Sequence, residues 1–270
     1  MSASRKPAER RKSHERADLA HNLAHGKKTR APKRHTTEIG FSKILTPSDE
    51  QGLSDYMTGK RPGIDGRFFA KDTIKGKRAA LMIDLLFNTG MRLSELCSLR
   101  IKDTPLVLSM DAIEVRHGKG DKDRTIPIGP KLSQKIKDYC KDVRPYTMPR
   151  YVRRKDTEGF LFYSSRKKPF LMKIRRKDDQ GNYVMKRRGS TGAYRIIRNI
   201  CNLAGIEKRI SPHRFRHTYC VRSLGRENGF DPGTVQRIMG HSDLRITSRY
   251  FHLRDNEMFT RAAGLEKMLG

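Results

Sequence analysis

The chain has 270 residues, a formal net charge of +30 and an isoelectric point near 10.4, with Lys and Arg outnumbering Asp and Glu 59 to 29. Such an excess repels itself unless an anionic partner neutralises it, which points to nucleic acid through phosphate contacts. No apolar run is long enough to span a bilayer and no signal-peptide core is present, so the protein is expected to be soluble and cytoplasmic, with no membrane partner.

Residues 1–40 read as a basic, flexible arm. The first 35 hold 11 Lys/Arg against 3 Asp/Glu and almost no large apolar residues, too little to offset the entropy of ordering. The arm is either a segment that becomes helical on DNA or a solvated tail. From residue 41 the composition is globular. "KGKRAALMIDLLFNTG" predicts a buried helix ended by Gly90, and "LSELCSL" a short second one. "AIEVRHGKGDKDRTIPIG" predicts two strands around a glycine-containing turn, with Pro127 making the second an edge strand or an irregular one. "KLSQKIKDYC" reads as helix and "GFLFYSS" as a short strand.

"FLMKIRRKDDQGNYVMKRRG" predicts a basic hairpin turning at "DDQGN". "GAYRIIRNICNLAG" is an amphipathic helix with Gly205 at its end, and Pro212 opens the next helix. "DPGTVQRIMG" is a short helix bounded by Pro232 and Gly240, and "DNEMFTRAAGLEKM" a final one. The expected class is α+β, mostly helical with small β pieces. Cys97, Cys140, Cys201 and Cys220 are widely spaced without a C-x-x-C, which argues against a zinc ribbon or a disulfide framework and for reduced thiols in the core.

His213 and His217 lie four apart in "HRFRH", as in helical zinc motifs. That motif needs a glutamate where this chain has Arg214, and the segment has no acidic residue. "GKGDKDR" is not a Walker-type phosphate loop. An anion pocket fits better. His213 and Arg216 share a helix face, Arg92 follows a helix-ending glycine, Lys119 lies in a turn, and His241 precedes Tyr250 by nine residues.

Taken in order, "TGMRLSEL", "GKGDKDRTIP", "HRFRHT" and "MGH" with Tyr250 nine residues later resemble the tyrosine recombinases, the phage integrase family. The resemblance covers roughly residues 41–270 and implies that family's catalytic domain. It also implies a site-specific DNA recombinase or integrase working through a 3′-phosphotyrosyl intermediate and a Holliday junction. Arg92 and Arg216 would grip the scissile phosphate with planar, permanently charged forks. His213 and His241 would donate to the same oxygens, or His213 would handle the tyrosine proton. Tyr250 would be the nucleophile and Lys119 the general acid, with Lys122 the competing candidate. Glu95 is read as structural, holding Arg92 or capping a helix. Lys122, Arg124 and Arg214 are further DNA-binding candidates, and His217 a supporting residue.

The resemblance implies no ATP, nucleotide cofactor or metal. It implies double-stranded DNA carrying recombination sites as partner, a homo-oligomer (a tetramer on two duplexes) and accessory DNA-binding proteins. Two departures stand out. The helical core-binding domain that usually precedes the catalytic domain is apparently absent, and the 170–189 hairpin is longer than usual. A type IB topoisomerase, which shares the catalytic constellation, and a non-catalytic DNA-binding relic are the alternative readings.

Overall fold

The computed structural model describes residues 40–116, 123–152, 156–177, 180, 183–189, 191–206, 210–224 and 229–251. The expected final helix lies outside them, as does the basic arm except for its last residue. Helix α1 (Pro47–Thr58) has no counterpart in the expectations above. Its signal is nonetheless present in "TPSD". Asp49 N–H donates to Thr46 Oγ1 at 3.1 Å and Thr46 N–H donates back to Asp49 Oδ2 at 2.9 Å, a capping box with Pro47 in the first turn.

Helix α2 (Ile74–Thr89) is the centre of the fold. Leu81, Met82, Ile83, Leu85 and Leu86 are buried all round it, as expected of a helix with an apolar run too wide for one stripe. It packs on α4 (Pro130–Asp142) and α7 (Pro212–Leu224), and also touches α3 (Leu93–Ser98) and α6 (Thr191–Leu203). Gly90 ends α2 in the left-handed region, φ 60°. A Cβ there would lie 2.6 Å from the Tyr219 ring and 2.9 Å from Met239 Sδ, so glycine is required by conformation and by space.

Strands β1 (Ala112–Val115) and β2 (Arg124–Pro127) form an antiparallel pair, Ile113 opposite Ile126, both fully buried. Pro127 is the last residue of β2, where its missing N–H ends the ladder. A four-residue helical turn, α5 (Arg144–Thr147), follows α4. Strands β3 (Leu171–Lys177) and β4 (Tyr183–Gly189) form the expected basic hairpin over seven residue pairs, against α3.

"GFLFYSS" is corrected: it forms no strand. Phe160 and Tyr163 make isolated bridges to Arg100 and Pro169. Leu161, Phe162 and Tyr163 are buried, so the run is apolar for the core's sake while its peptide groups bond to separate segments. Helix α6 ends before Gly205 (φ 77°). Helices α8 (Pro232–Met239) and α9 (Leu244–Ser248) complete the described chain, capped by Asp231 and Asp243. None of the four cysteines is in a disulfide, and all but Cys140 are buried. Among the described residues no helix is long and apolar enough to cross a membrane.

Leu86 is fully buried at the centre of this core. Leu86→Ala is expected to lose about 2–5 kcal/mol, read as a lowered urea midpoint with unchanged slope.

Candidate active site at the end of helix α8

The last turn of α8 leaves carbonyls that no intrahelical donor can reach. Gly240 takes a left-handed conformation, φ 63°, and the chain closes with a Schellman-type pair, Gly240 N–H to Arg237 O at 3.1 Å and His241 N–H to Gln236 O at 3.0 Å. The next three carbonyls each accept from a different arginine. Arg124 Nε donates to Ile238 O at 2.7 Å, Arg216 Nη2 to Met239 O, and Arg92 Nη2 to Gly240 O at a long 3.5 Å. Cations at a helix C-terminus are also favoured by its dipole.

Arg216 is buried, and its Nη1 donates to Gly90 O at 2.7 Å. One guanidinium therefore bridges the C-terminal ends of α2 and α8. Burial, then the neighbouring charge of Arg92, lowers its pKa to about 10, which leaves it charged at neutral pH.

Glu95 organises the cationic side. Its carboxylate accepts from Arg92 N–H at 2.7 Å and Arg92 Nη1 at 2.8 Å, and from Arg124 Nη1 and Nη2 at 3.0 and 2.8 Å. Both structural roles read for Glu95 are present, since it holds Arg92 and closes the first turn of α3. Burial acts to raise its pKa, but the hydrogen bonds and charges of Arg124 and Arg92 outweigh it and bring the carboxyl down to about 2.

Arg124, one of the DNA-binding candidates, has a side chain only 9% exposed, with its guanidinium bound to Glu95 and Ile238 O. Its place in β2, opposite Val115, aims it inward at α8. Arg214, the other described DNA-binding candidate, is half-buried on α7, with Nη1 buried and lacking a hydrogen-bond partner among the described residues. Lys119 and Lys122 lie outside the described residues.

The histidines surround this cationic cluster. His241 follows Gly240, and its Nδ1 is 3.0 Å from Thr247 Oγ1 on α9. Burial, then the charges of Arg216, Arg92 and Arg124, bring its pKa down to about 3. His213 is exposed on α7, and burial of part of its ring, then Arg216 and Arg92, lower its pKa. Its ring centroid is 6.4 Å from that of His217. Among the described residues no group of His, Cys, Asp and Glu is placed to hold a metal ion.

The nine residues from His241 to Tyr250 are taken up by α9, whose Thr247 carbonyl accepts from Tyr250 N–H at 3.1 Å. Tyr250 is only 2% exposed and packs with Ile44, Cys220, Val221, Val235 and Met239. Its hydroxyl lies 2.6 Å from His217 Nδ1. Burial pushes the phenol pKa up, against the opposing charges of Arg216 and Arg249. His217 is thus more than the supporting residue expected. Its signals in the sequence were its place one turn beyond His213 and its position in the "HRFRHT" motif, neither of which names a partner. The adjacent Thr218 accepts from Leu45 N–H at 2.8 Å and ties the start of the described chain to α7.

Residues 68–257 match the phage integrase family, and the chain belongs to that family. Similar proteins include a tyrosine recombinase of Pseudothermotoga lettingae, 34% identical over 187 residues that make up 69% of this chain and 54% of that one. Tyrosine recombinase XerD of Listeria monocytogenes is 31% identical over 213 residues, 78% and 62% of the two chains. The crystal structure of XerA recombinase matches with a TM-score of 0.57 and 26% identity over 92% of this chain and 73% of that one. The chain spans between one half and two thirds of the length of these two curated relatives.

Depression of the Glu95 pKa from 4.5 to about 2 makes the folded state bind fewer protons than the unfolded one in acid. This contributes about 3 kcal/mol that is fully present above about pH 4.5 and lost as pH falls toward the folded value. Equilibrium urea unfolding across that range is expected to show this acid slope in wild type and a flatter one in Glu95→Gln.

Proposed function

We propose that this chain is a site-specific DNA recombinase that cuts and rejoins strands through a 3′-phosphotyrosyl bond to Tyr250. The observation that carries the reading is the convergence on the end of α8. Arg92, Arg216 and His241 meet there, with Tyr250 packed against Met239 of the same helix, though Arg92 and Tyr250 lie 158 positions apart in the chain.

An in-line displacement at phosphorus develops negative charge on the non-bridging oxygens. Preorganised guanidinium and imidazole donors stabilise that charge with little reorganisation. A guanidinium has five N–H groups. The carbonyl and carboxylate bonds of Arg92 and Arg216 fix their planes and leave other N–H groups for phosphate. His213 and His241 are neutral at pH 7, and each has a ring N–H to donate. The Nη1 of Arg214, without a hydrogen-bond partner among the described residues, would donate to a further phosphate oxygen.

The covalent bond to Tyr250 conserves the energy of the broken phosphodiester, so rejoining needs no ATP. Lys119, or Lys122 in the same turn, would protonate the 5′-oxygen leaving group. The substrate is double-stranded DNA carrying recombination sites, worked on by a homotetramer that spans two duplexes, with accessory DNA-binding proteins. The basic arm would add phosphate contacts.

Incubation of the full chain with nicked duplexes of randomised sequence is expected to trap a protein–DNA adduct. Tyr250→Phe should form none, and Arg216→Ala should slow formation by about 10²–10³-fold. Failure of wild type to form any adduct, or an adduct from Tyr250→Phe, overturns the reading. Deleting residues 1–35 should weaken binding and flatten the dependence of log affinity on log salt, measured by titration of a fluorescent duplex.

A further inference from the structure

The hydroxyl that attacks phosphorus must lose a proton, and burial makes that proton hard to remove from Tyr250. Free tyrosine, with a pKa of about 10, is phenolate only about once in a thousand molecules at pH 7. Burial lowers that fraction further, so attack requires a base positioned at the hydroxyl. The sequence offered His213 for this task. His213 is exposed on α7, with Arg216 and Arg92 as charged neighbours, and its ring shows no hydrogen bond to Tyr250 among the described residues. His241 directs Nδ1 to Thr247. Among the described residues, the recorded hydrogen bond of the Tyr250 hydroxyl is to His217 Nδ1, at 2.6 Å, with ring centroids 5.7 Å apart.

We propose that His217 is the catalytic proton acceptor for Tyr250, a role that rests on the strand-transfer reading above. In the cleavage step the Tyr250 O–H bond breaks and its proton passes to His217 Nδ1. The phenolic oxygen forms the O–P bond. The bond from phosphorus to the 5′-oxygen breaks, and that oxygen takes a proton from the turn lysine. Rejoining runs in reverse: the 5′-hydroxyl attacks phosphorus, and the departing phenolate recovers its proton from the His217 imidazolium.

The surroundings of His217 couple this transfer to DNA. Burial first, then the ionisable neighbour His213 and the positive groups Lys43, Arg216 and Arg214, bring its pKa down to about 4. The imidazole is therefore neutral at pH 7, with a lone pair for the hydroxyl. In the resting protein an imidazolium would sit among like charges. A phosphate gripped by Arg216, Arg214 and His213 cancels part of that repulsion and raises the basicity of His217 only when substrate is in place. Tyr250 and His217 thus form a hydrogen-bonded pair that the scissile phosphate itself activates.

The test measures the single-turnover rate of adduct formation by the full chain on a nicked duplex selected from the randomised pool. His217→Ala is expected to slow cleavage by about 10²–10⁴-fold, the usual contribution of a general base. Added imidazole should restore part of the rate, and 3-fluorotyrosine at position 250, a more acidic phenol, should narrow the gap between variant and wild type. His217→Asn keeps a hydrogen bond to the hydroxyl without accepting its proton, and it should stay slow while binding the duplex normally. Cleavage at the wild-type rate by either variant overturns the assignment. So does a deficit that neither imidazole nor fluorotyrosine changes, because that is the behaviour of a packing residue. Absence of an adduct from wild type overturns strand transfer and this assignment together, whereas an adduct from wild type with fast His217 variants overturns the assignment alone.

Discussion

Three guanidinium groups crowd the end of α8, and unaided they would repel one another. The Glu95 carboxylate and a set of consecutive carbonyls make the cluster possible. Glu95 accepts from both Arg92 and Arg124, and the carbonyls of Ile238, Met239 and Gly240 each receive one arginine. A buried charge is tolerated when it is paired and hydrogen-bonded. Here the same bonds also set the direction of each fork. The two glycines at the junction, Gly90 and Gly240, allow the helix ends to approach this closely, since Arg124 lies about 3.2 Å from any Cβ at Gly240.

Burial sets the direction of protonation around the cluster, and the cluster's charge adds to it at the histidines. His213, His217 and His241 all have lowered pKa values, with burial the largest cause and positive neighbours adding to it. Tyr250 has a raised one, because burial outweighs the pull of Arg216. The end of α8 is therefore cationic, bordered by histidines of lowered pKa and a protonated Tyr250, and its charge favours an anionic ligand.

Arg92, Arg216, His241 and Tyr250 were singled out as candidates by the family motifs, and the helix ends explain where three of them sit. Gly90 and Gly240 end helices whose next residues must turn into the site, and the interval from His241 to Tyr250 is the length of one short capped helix. Helix α1 was legible in principle from its capping box but has a weak apolar stripe, with only Leu53 and Tyr56 buried. "GFLFYSS" was misleading because an apolar run signals burial without saying whether a neighbouring strand exists. The partners of Arg124 and His217 were not legible, because each lies far along the sequence, 29 positions away for Glu95 and 33 for Tyr250.

The sequence by itself determined the helix ends, the mostly helical class, the need for an anionic partner and the family motifs in their order. These follow from local propensity, composition and spacing. Only the tertiary structure decided which carboxylate and carbonyls each arginine binds, and which histidine meets the Tyr250 hydroxyl. Those assignments depend on three-dimensional pairing across the α2, α7 and α8 contacts. There, one carboxylate and a few carbonyls choose among chemically similar arginines, and one imidazole nitrogen is placed within hydrogen-bond reach of a phenol.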